Sequence, residues 1–515
     1  MPTAAPVADR VFTDGEVHTL ADPDVTAEAV AVRDGEIISV DSISTIDSLI
    51  APRTDVIDLD GCILLPGFID ANFYSETLGQ YLLYADLRDT AGPEECIERL
   101  KDAADTDREW IIGRGFDESS WAESRYLDRA DLNRVSEDRP VVALREDGHV
   151  AAVNDVMLER HREEFPDSHV VTEGGEPTGV LLEDAAVRII ELIDPGLDDM
   201  RELVVSVQEH VHQYGVTGVH DMVRDSHAPQ VYRELDLEDQ LALRVRLNYW
   251  YDHYDAISET GLRTNYGSEF VQLGAVKFTI DGSLGGRTAK LTEPYADDGA
   301  TGEWVMEPEI FADWVDRVDA AGFQVCCHAI GDAGIEAVLS TYEEAAADVG
   351  DLRHRIEHVE MASDEQIERI GEAGIVASMQ PNFLKWARSD GLYDERIGTD
   401  RRERTNRYPA LRDAGAPIAF GSDVMPLDPL YGVHETVNAP VVAQQLSVTE
   451  ALRAYTHGSA YAGFDEDRLG TVEIGKKADF AILDRSPWDV PDAIDSIDVV
   501  MTVVDGEIVY DGRYE

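Results

Sequence analysis

Apolar runs of strand length recur through the middle of the chain, and longer stretches with a helical period separate them. Eight runs of strand type can be followed, and amphipathic segments such as 308–321 and 364–373 lie between them. Strand–helix alternation repeated eight times is typical of a parallel sheet that closes into a barrel. We therefore predict an α/β protein with a (β/α)₈ TIM-type barrel, whose strands begin near residues 68, 215, 243, 271, 323, 355, 375 and 417.

The two ends of the chain have a different pattern, with short alternating segments separated by Asp-Gly pairs. Such pairs stand at 14–15, 34–35 and 505–506, and they are a strong β-hairpin signal. We predict one composite β-sandwich domain from residues 1–64 and 466–515, and a barrel from 65–75 and 199–465. Residues 76–198 do not follow the barrel rhythm and are predicted to form a large insertion domain after strand 1, over the barrel mouth.

The net charge of the chain limits the classes of molecule that it can bind. Aspartate and glutamate number 104 against 43 lysines and arginines, so the formal net charge is −61, and the acidic residues are spread over the whole length. Self-repulsion on this scale destabilises a compact state in dilute salt, whereas at molar salt the Debye length falls to about 3 Å. This composition predicts a halophilic protein. It excludes nucleic acid and anionic membranes as partners, and it leaves a small-molecule substrate.

Cysteine usage and hydropathy indicate the compartment. No apolar run approaches the length of a membrane span, and the amino terminus lacks the pattern of a signal peptide. The four cysteines show no CxxC spacing. We therefore expect a cytoplasmic protein with free thiols, and a homodimer is expected only as the commonest oligomeric state.

Four predicted strand ends carry residues with metal or acid–base chemistry: Lys277, His328, His358 and Asp423. Taken singly, each has an ordinary structural explanation, because a histidine that closes a strand is usually hydrogen-bonded and an aspartate there commonly caps a helix. The carboxyl ends of barrel strands, however, converge on one mouth. Four such residues together therefore predict a catalytic centre at that end of the barrel.

Lys277 stands inside an apolar run although the chain contains only six lysines. On a surface strand its amine would extend into solvent. In apolar surroundings the neutral amine is favoured, and it can capture CO₂. A carboxylated lysine beside two imidazoles suits Zn²⁺, or another divalent transition metal, with an open position for water. Asp423 would then accept the proton of that water.

Other motifs are assigned to structure. His210 and His212 are two apart on a predicted helix, so they do not share a face, and we expect them at the surface. Cys326 and Cys327 alternate across a strand, which favours core packing. Residues 282–287 lack the Gly-Lys-Ser/Thr of a phosphate loop and are predicted to line the barrel mouth.

Nearly the whole chain resembles the amidohydrolase superfamily, in particular amidohydrolase family 3, the YtcJ-like branch. The resemblance implies a metal-dependent hydrolase acting on carbon–nitrogen bonds other than peptide bonds. It also implies a barrel, a terminal β-sandwich and an insertion after strand 1. The motifs that carry it are Pro66-Gly-Phe-Ile-Asp-Ala71, Asp147-Gly-His149 with Val153-Asn154, Pro177-Thr-Gly-Val180, residues 215–221, residues 276–287, His328-Ala-Ile-Gly-Asp332, His354-Arg-Ile-Glu-His358, Ala377-Ser-Met-Gln-Pro381, Gly421-Ser-Asp423 and Gly475-Lys-Lys-Ala-Asp-Phe480.

The resemblance assigns roles to the four strand-end residues. His328 and His358 match the family's metal histidines on strands 5 and 6. Lys277 matches the strand-4 lysine that is carboxylated in related enzymes, and Asp423 matches the catalytic aspartate of strand 8. The implied cofactor is therefore a divalent metal, expected to be Zn²⁺.

The chain departs from the family pattern at strand 1, where His-x-His is replaced by Asn72-Phe-Tyr74. Asparagine offers only a neutral carbonyl oxygen, and a tyrosine phenol stays protonated near neutral pH. Two hypotheses follow. The first is a hydrolase with one metal per chain, which cleaves an amide, formamide or cyclic amide through a metal-activated water. The second is a non-catalytic relative that retains a ligand-binding pocket.

Three residues are candidate substrate contacts: His149 in the insertion, His220 near the end of strand 2, and Arg287 in the loop after strand 4. Arg287 could pair with a substrate carboxylate or be held in a structural salt bridge. Fold and motifs do not choose among possible substrates.

Overall fold

The computed structural model describes residues 7–104, 108–345 and 349–514. The chain divides into two compact units. One comprises the residues up to Tyr74 together with those from Gln208 onward, and the other is Ser75–Val207. Among the described residues, no helix is long and apolar enough to cross a membrane.

An eight-stranded parallel sheet dominates the first unit. Strand 1 and strand 8 stand at its two ends in hydrogen-bonding order, and they meet where the Asp423 backbone N–H donates to the Asn72 carbonyl at 2.9 Å. The sheet therefore forms a nearly closed barrel, and the predicted fold class is confirmed. Strands 1 to 8 are Phe68–Phe73, Val216–Val223, Arg244–Trp250, Val271–Thr279, Val325–Ala329, Arg355–His358, Val376–Met379 and Ile418–Phe420.

Barrel strands are buried on both faces, and their sequences show it. Strands 1 and 2 are buried at every position, as continuous apolar runs of parallel strands usually are. A Cβ on Gly421 would collide with the backbone nitrogen of Asn72, so glycine is needed where strand 8 closes on strand 1. The predicted helices 308–321 and 364–373 are observed as Pro308–Ala320 and Asp364–Ala373.

Helices and short turns connect the barrel strands and follow the last one. The longer helices carry one apolar face; Asp364–Ala373, for example, buries Ile367 and Ile370 and begins with a capping box at Ser363. The α-helices of this part of the chain are Leu197–His212, which contains the boundary of the two units, Ala228–Leu237, Tyr254–Glu259, Pro308–Ala320, Asp332–Glu344, Val349–Leu352, Asp364–Ala373, Leu392–Ile397, Thr399–Arg402, Tyr408–Asp413, Pro429–Val437, Val448–Arg453 and Ser459–Ala462.

Two further sheets of the first unit come from the chain ends: the first contains amino-terminal strands only, and the second combines strands from both ends. Their facing sides form one core, in which the rings of Phe12 and Phe480 lie 5.5 Å apart. The first sheet contains Arg10–Thr13, Ala29–Arg33, Glu36–Asp41 and Asp55–Asp58. The second contains Glu16–His18, Thr26–Ala27, Ile63–Pro66, Phe480–Leu483, Val499–Val504 and Glu507–Asp511.

The second unit has its own six-stranded sheet and its own apolar clusters. Its strands are Ala85–Asp86, Ile111–Phe116, Val141–Arg145, Val150–Val153, Val170–Glu173 and Glu176–Leu182. Its helices are Ser75–Leu83, Pro93–Ala103, Arg129–Asn133, Asp155–His161 and Asp184–Leu192. The sequence-based limits of this insertion, and its position over the barrel mouth, stay predictions.

Candidate functional site

Lys277, His328, His358 and Asp423 come together at the carboxyl end of the barrel. The rings of His328 and His358 lie 4.5 Å apart. Lys277 is close enough to both imidazoles and to Asp423 to change the pKa of each. The structure thus places all four predicted strand-end residues in one cluster, which we call the mouth cluster.

His328 lies in strand 5 with its side chain 19% exposed. Its Nε2 is 3.0 Å from the Gly282 carbonyl oxygen, which can only accept a hydrogen bond, so Nε2 carries the proton. Burial and the neighbouring Lys277 lower the pKa of His328 to about 4. The ring is therefore neutral at pH 7, with its lone pair on Nδ1.

His358 ends strand 6 in the left-handed backbone region, with φ 77°, and Val359 follows with φ 51°. Positive φ at a β-branched residue is uncommon and costs about 1 kcal/mol or more. Asp423 and Val424 at the end of strand 8 share this conformation, with φ 52° and 59°. Such strain is concentrated at functional sites, and here it marks two neighbouring parts of the barrel mouth.

Two buried nitrogen atoms of the mouth cluster have no hydrogen-bond partner in the described structure: Nζ of Lys277 and Nδ1 of His358. Lys277 is only 1% exposed, and His358 is 3% exposed. An unsatisfied buried polar group costs about 1–3 kcal/mol, so native structures seldom leave one without a reason. Burial, with His328 and Lys277 nearby, lowers the pKa of His358 well below its usual value. Its neutral imidazole is the form that binds a metal.

Asp423 sits at the point where strand 8 meets strand 1. Burial raises the pKa of its carboxyl to about 7, while Lys277 opposes that rise and the Asp70 carboxylate adds to it. Asp70 is fully buried and accepts from the backbone N–H groups of Asn72 and Ser422 at 3.1 and 2.9 Å. Asp70 thus links the ends of strands 1 and 8, which carry Asn72 and Asp423.

The end of strand 1 forms a separate network deeper in the barrel. Asn72 is fully buried, and its Nδ2 donates to the Glu357 carboxylate at 2.9 Å. The other Glu357 oxygen accepts from Arg355 Nε at 2.9 Å. The Arg355 guanidinium also donates to the Ala71 carbonyl and to Ser378, at 2.6 and 3.0 Å. We call these five residues the inner network.

Tyr74 follows strand 1 and packs against Met222, Ala275 and Cys326. Burial, together with the carboxylates of Asp423 and Glu357, raises the pKa of its phenol well above the usual value. The phenol therefore stays protonated, as expected from the sequence.

A divalent metal fits one part of this arrangement and not the other. No three His, Cys, Asp or Glu side chains of the described residues form a metal-binding group. The mouth cluster would need carboxylated Lys277 as its third ligand beside two histidines, and its unpartnered Nζ and Nδ1 atoms fit a missing group. At the inner position the Asn72 Nδ2 group is committed to Glu357, and the unpartnered Asn72 Oδ1 is a single neutral oxygen beside a protonated Tyr74 phenol. That position does not fit a second metal.

Two of the predicted substrate contacts have structural partners in the first unit. Arg287 is bound by Asp297 at 2.7 Å and lies 3.7 Å from Asp298, so it is held in a salt bridge, which is one of its two expected roles. His220 is 3% exposed, and its Nδ1 lies 2.8 Å from Arg355. It borders a small cavity with Arg244, the first residue of strand 3, and so it lies away from the strand ends.

His149 belongs to the second unit. Its side chain is 65% exposed, and Nδ1 is 2.9 Å from the Glu183 carboxylate, which raises its pKa. A role for His149 in substrate binding stays a prediction.

The expected surface position of His212 is wrong. His212 is 3% exposed, and its Nε2 donates to the Ala242 carbonyl at 3.0 Å. Both cysteines of strand 5 are buried, as expected.

Sequence reasoning overlooked Arg355 and Glu357. Both are charged, and they stand two apart in a four-residue strand that is buried throughout. Side chains two apart on a strand share a face, and charges that face a barrel interior persist only when they are paired. This spacing is the signal that could have revealed the inner network.

Comparison with known proteins identifies a family and several relatives to which this chain is similar. The model of the amidohydrolase family matches residues 55–510. The putative amidohydrolase YtcJ of Bacillus subtilis is 30% identical over 97% of this chain and 99% of its own length. The N-substituted formamide deformylase of Arthrobacter pascens is 24% identical over 98% of both chains. The crystal structure of an uncharacterized metal-dependent hydrolase from Pyrococcus furiosus superposes with a TM-score of 0.80 at 31% identity, covering 93% of this chain and 99% of that one.

Proposed function

Because the chain belongs to the amidohydrolase family, we propose that it hydrolyses a non-peptide carbon–nitrogen bond of a small molecule and uses one divalent metal per chain. The metal would be held by carboxylated Lys277, His328 and His358. The bond would be that of an amide, formamide or cyclic amide. The formamide deformylase and the putative amidohydrolase among the relatives support this bond type.

The observation that carries the proposal is the buried, unpartnered amine of Lys277 beside two neutral imidazoles. A lysine left without a hydrogen bond inside a barrel destabilises the fold, unless a further group completes its surroundings. Carboxylation converts this amine into an anionic oxygen ligand, and the two histidines already present nitrogen ligands.

When bound, a divalent ion supplies Lewis-acid polarisation of a substrate carbonyl and of water. The chain supplies the remaining functions. Asp423 stands at the strand-8 end, where its carboxylate can take a proton from water and pass it to the leaving nitrogen. The hydrogen bond from His328 Nε2 to Gly282 fixes the ring and its tautomer.

Metal content tests the proposal directly. We expect about one Zn²⁺ or other divalent transition metal per chain after purification in molar KCl without chelator, measured by elemental analysis. The Lys277→Ala variant should lose the metal, and hydrolysis of formamides, N-acyl amines and cyclic amides should fall to background. Lys385→Ala, at a lysine outside the mouth cluster, is the matched control and should keep the metal. Two tightly bound metals per chain would contradict the proposal.

A second function has one specific observation in its favour. The charged groups of the inner network are paired with one another without any ligand, and His328 has a partner in Gly282. A non-catalytic protein with a retained ligand-binding pocket is consistent with such self-sufficiency. Absence of metal under every loading condition, together with binding of small amides that are never cleaved, would favour this alternative.

A further inference from the structure

An aromatic series runs outward from the mouth cluster. The ring of Phe383 lies parallel to His358, with a centroid distance of 5.8 Å and an interplanar angle of 6°. Trp386 follows at 4.8 Å from Phe383. Both belong to the short helix Pro381–Trp386 directly after strand 7, on the carboxyl side of the barrel. Phe383 is 5% exposed, whereas Trp386 is partly exposed, so the series ends in an apolar surface open to solvent.

This helix is fixed to the segment that follows strand 8. Asn382 Nδ2 donates to the Ser422 carbonyl at 2.6 Å, and Lys385 Nζ donates to the Met425 carbonyl at 2.8 Å. Ser422 and Met425 flank Asp423 in the sequence. The aromatic series is therefore held between His358 and Asp423, the two strand ends with a strained backbone, and its position does not depend on a mobile loop.

The charged groups near the mouth argue for a neutral substrate. Arg287 and Arg396 converge on the same carboxylate, with Asp297 at 2.7 Å from each. Arg287 also lies 3.7 Å from Asp298, and Arg396 lies 2.9 Å from Glu395, so both guanidinium groups are paired within the chain and neither has to be completed by a substrate carboxylate. Lys385 is likewise bound to a carbonyl and lies over the Trp386 ring at 4.5 Å.

We propose that Trp386 determines specificity by binding an aromatic or bulky apolar substituent of a neutral amide, on the side of Phe383 that faces away from His358. Phe383 supports the ring from the side of His358, and the exposed part of Trp386 contacts the substituent. This inference rests on the proposed hydrolase function of the mouth cluster. It adds the class of substrate: neutral formamides or amides with a ring on nitrogen.

The test compares formanilide with N-methylformamide in molar KCl for the wild type and for Trp386→Leu. We expect kcat/KM for formanilide to fall by about 10- to 100-fold in the variant, and for N-methylformamide by less than about threefold, because only formanilide carries the apolar group. Trp386→Phe keeps an aromatic ring and should retain most of the formanilide activity. This second variant also shows that the effect does not come from misfolding.

Trp488→Leu is the matched control. Trp488 is also partly exposed, but it stacks on His18 in the terminal β-domain, at 3.8 Å. Its replacement should leave both substrates unaffected. Equal losses for the two formamides in Trp386→Leu would overturn the inference and leave the hydrolase function standing.

A binding measurement separates failure of the inference from failure of the proposed function. Calorimetric titration with acetanilide and with N-methylacetamide should give tighter binding of acetanilide, weakened at least tenfold by Trp386→Leu. If neither formamide is cleaved but this difference persists, the hydrolase proposal fails and the role of Trp386 holds. If acetanilide binds no more tightly than N-methylacetamide, the role of Trp386 is refuted.

Discussion

The inner network and the mouth cluster lie within one barrel and differ in how far their polar groups are satisfied. In the inner network the Asn72 Nδ2 group, the Glu357 carboxylate and the Arg355 guanidinium bind one another, although Asn72 Oδ1 is buried without a partner among the described residues. In the mouth cluster Lys277 Nζ and His358 Nδ1 are buried with no partner among the described residues. Unsatisfied buried groups are costly. The inner network pairs its charged groups internally, whereas the mouth cluster leaves a lysine amine and an imidazole nitrogen unpaired, so the mouth cluster is the better site for a group from outside the chain.

The largest loss of stability is expected when Arg355, the cation of the inner network, is replaced. Arg355→Met removes four hydrogen bonds and leaves Glu357 buried without its counter-charge, so the free energy of unfolding should fall by about 3–5 kcal/mol. Denaturant unfolding in molar KCl measures it.

The control for Arg355→Met is Arg134→Met. Arg134 pairs with Glu94, and these side chains are 48% and 71% exposed. Because an exposed ion pair is screened by solvent, this loss should be much smaller than that of Arg355→Met. Similar losses for the two variants would mean that the inner network does not stabilise the fold more than an exposed ion pair does.

A smaller effect is expected at Asn72. Asn72→Leu removes the donor to one Glu357 oxygen and should lower the free energy of unfolding by about 1–3 kcal/mol. Elemental analysis should still find about one metal per chain, because Asn72 belongs to the inner network and not to the mouth cluster. Loss of the metal in this variant would contradict the assignment of the metal to the mouth cluster alone, since it would make the Asn72 carbonyl oxygen a ligand.

The smallest change in stability is expected from His212, a buried histidine that has a hydrogen-bond partner. His212 belongs to neither the inner network nor the mouth cluster. Burial lowers the pKa of His212 to about 4 in the folded state, against about 6.5 unfolded. Between these values the unfolded chain binds the extra proton, so the contribution of His212 to stability falls as the pH falls. The expected decrease is about 1.4 kcal/mol between pH 7.5 and 5.5.

Replacing His212 by glutamine tests this pH dependence. Glutamine retains an N–H donor for Ala242 but does not titrate, so the stability of the wild type relative to the variant should decrease as the pH falls through this window. Denaturant unfolding at both pH values measures it, with the exposed His227→Gln as the matched substitution. A difference that does not depend on pH would show that His212 is not protonated on unfolding.

The sequence alone determined the class of fold and the members of the mouth cluster. Strand–helix repetition sets a parallel barrel, because continuous apolar runs of strand length must be buried on both faces. Residues at the carboxyl ends of such strands necessarily converge, and so Lys277, His328, His358 and Asp423 could be grouped before any coordinates. The halophilic character was also inferred from composition, and it stays a prediction.

Only the tertiary structure decided how these residues are satisfied. The partner of Asn72 is Glu357, 285 positions away, and Arg287 forms a salt bridge with Asp297. His220 and His212 point to buried partners, because their side chains face packed neighbours rather than the mouth or solvent. Hydrogen bonds and burial depend on which distant segments pack together, and the local periodicity of the sequence does not specify these long-range contacts.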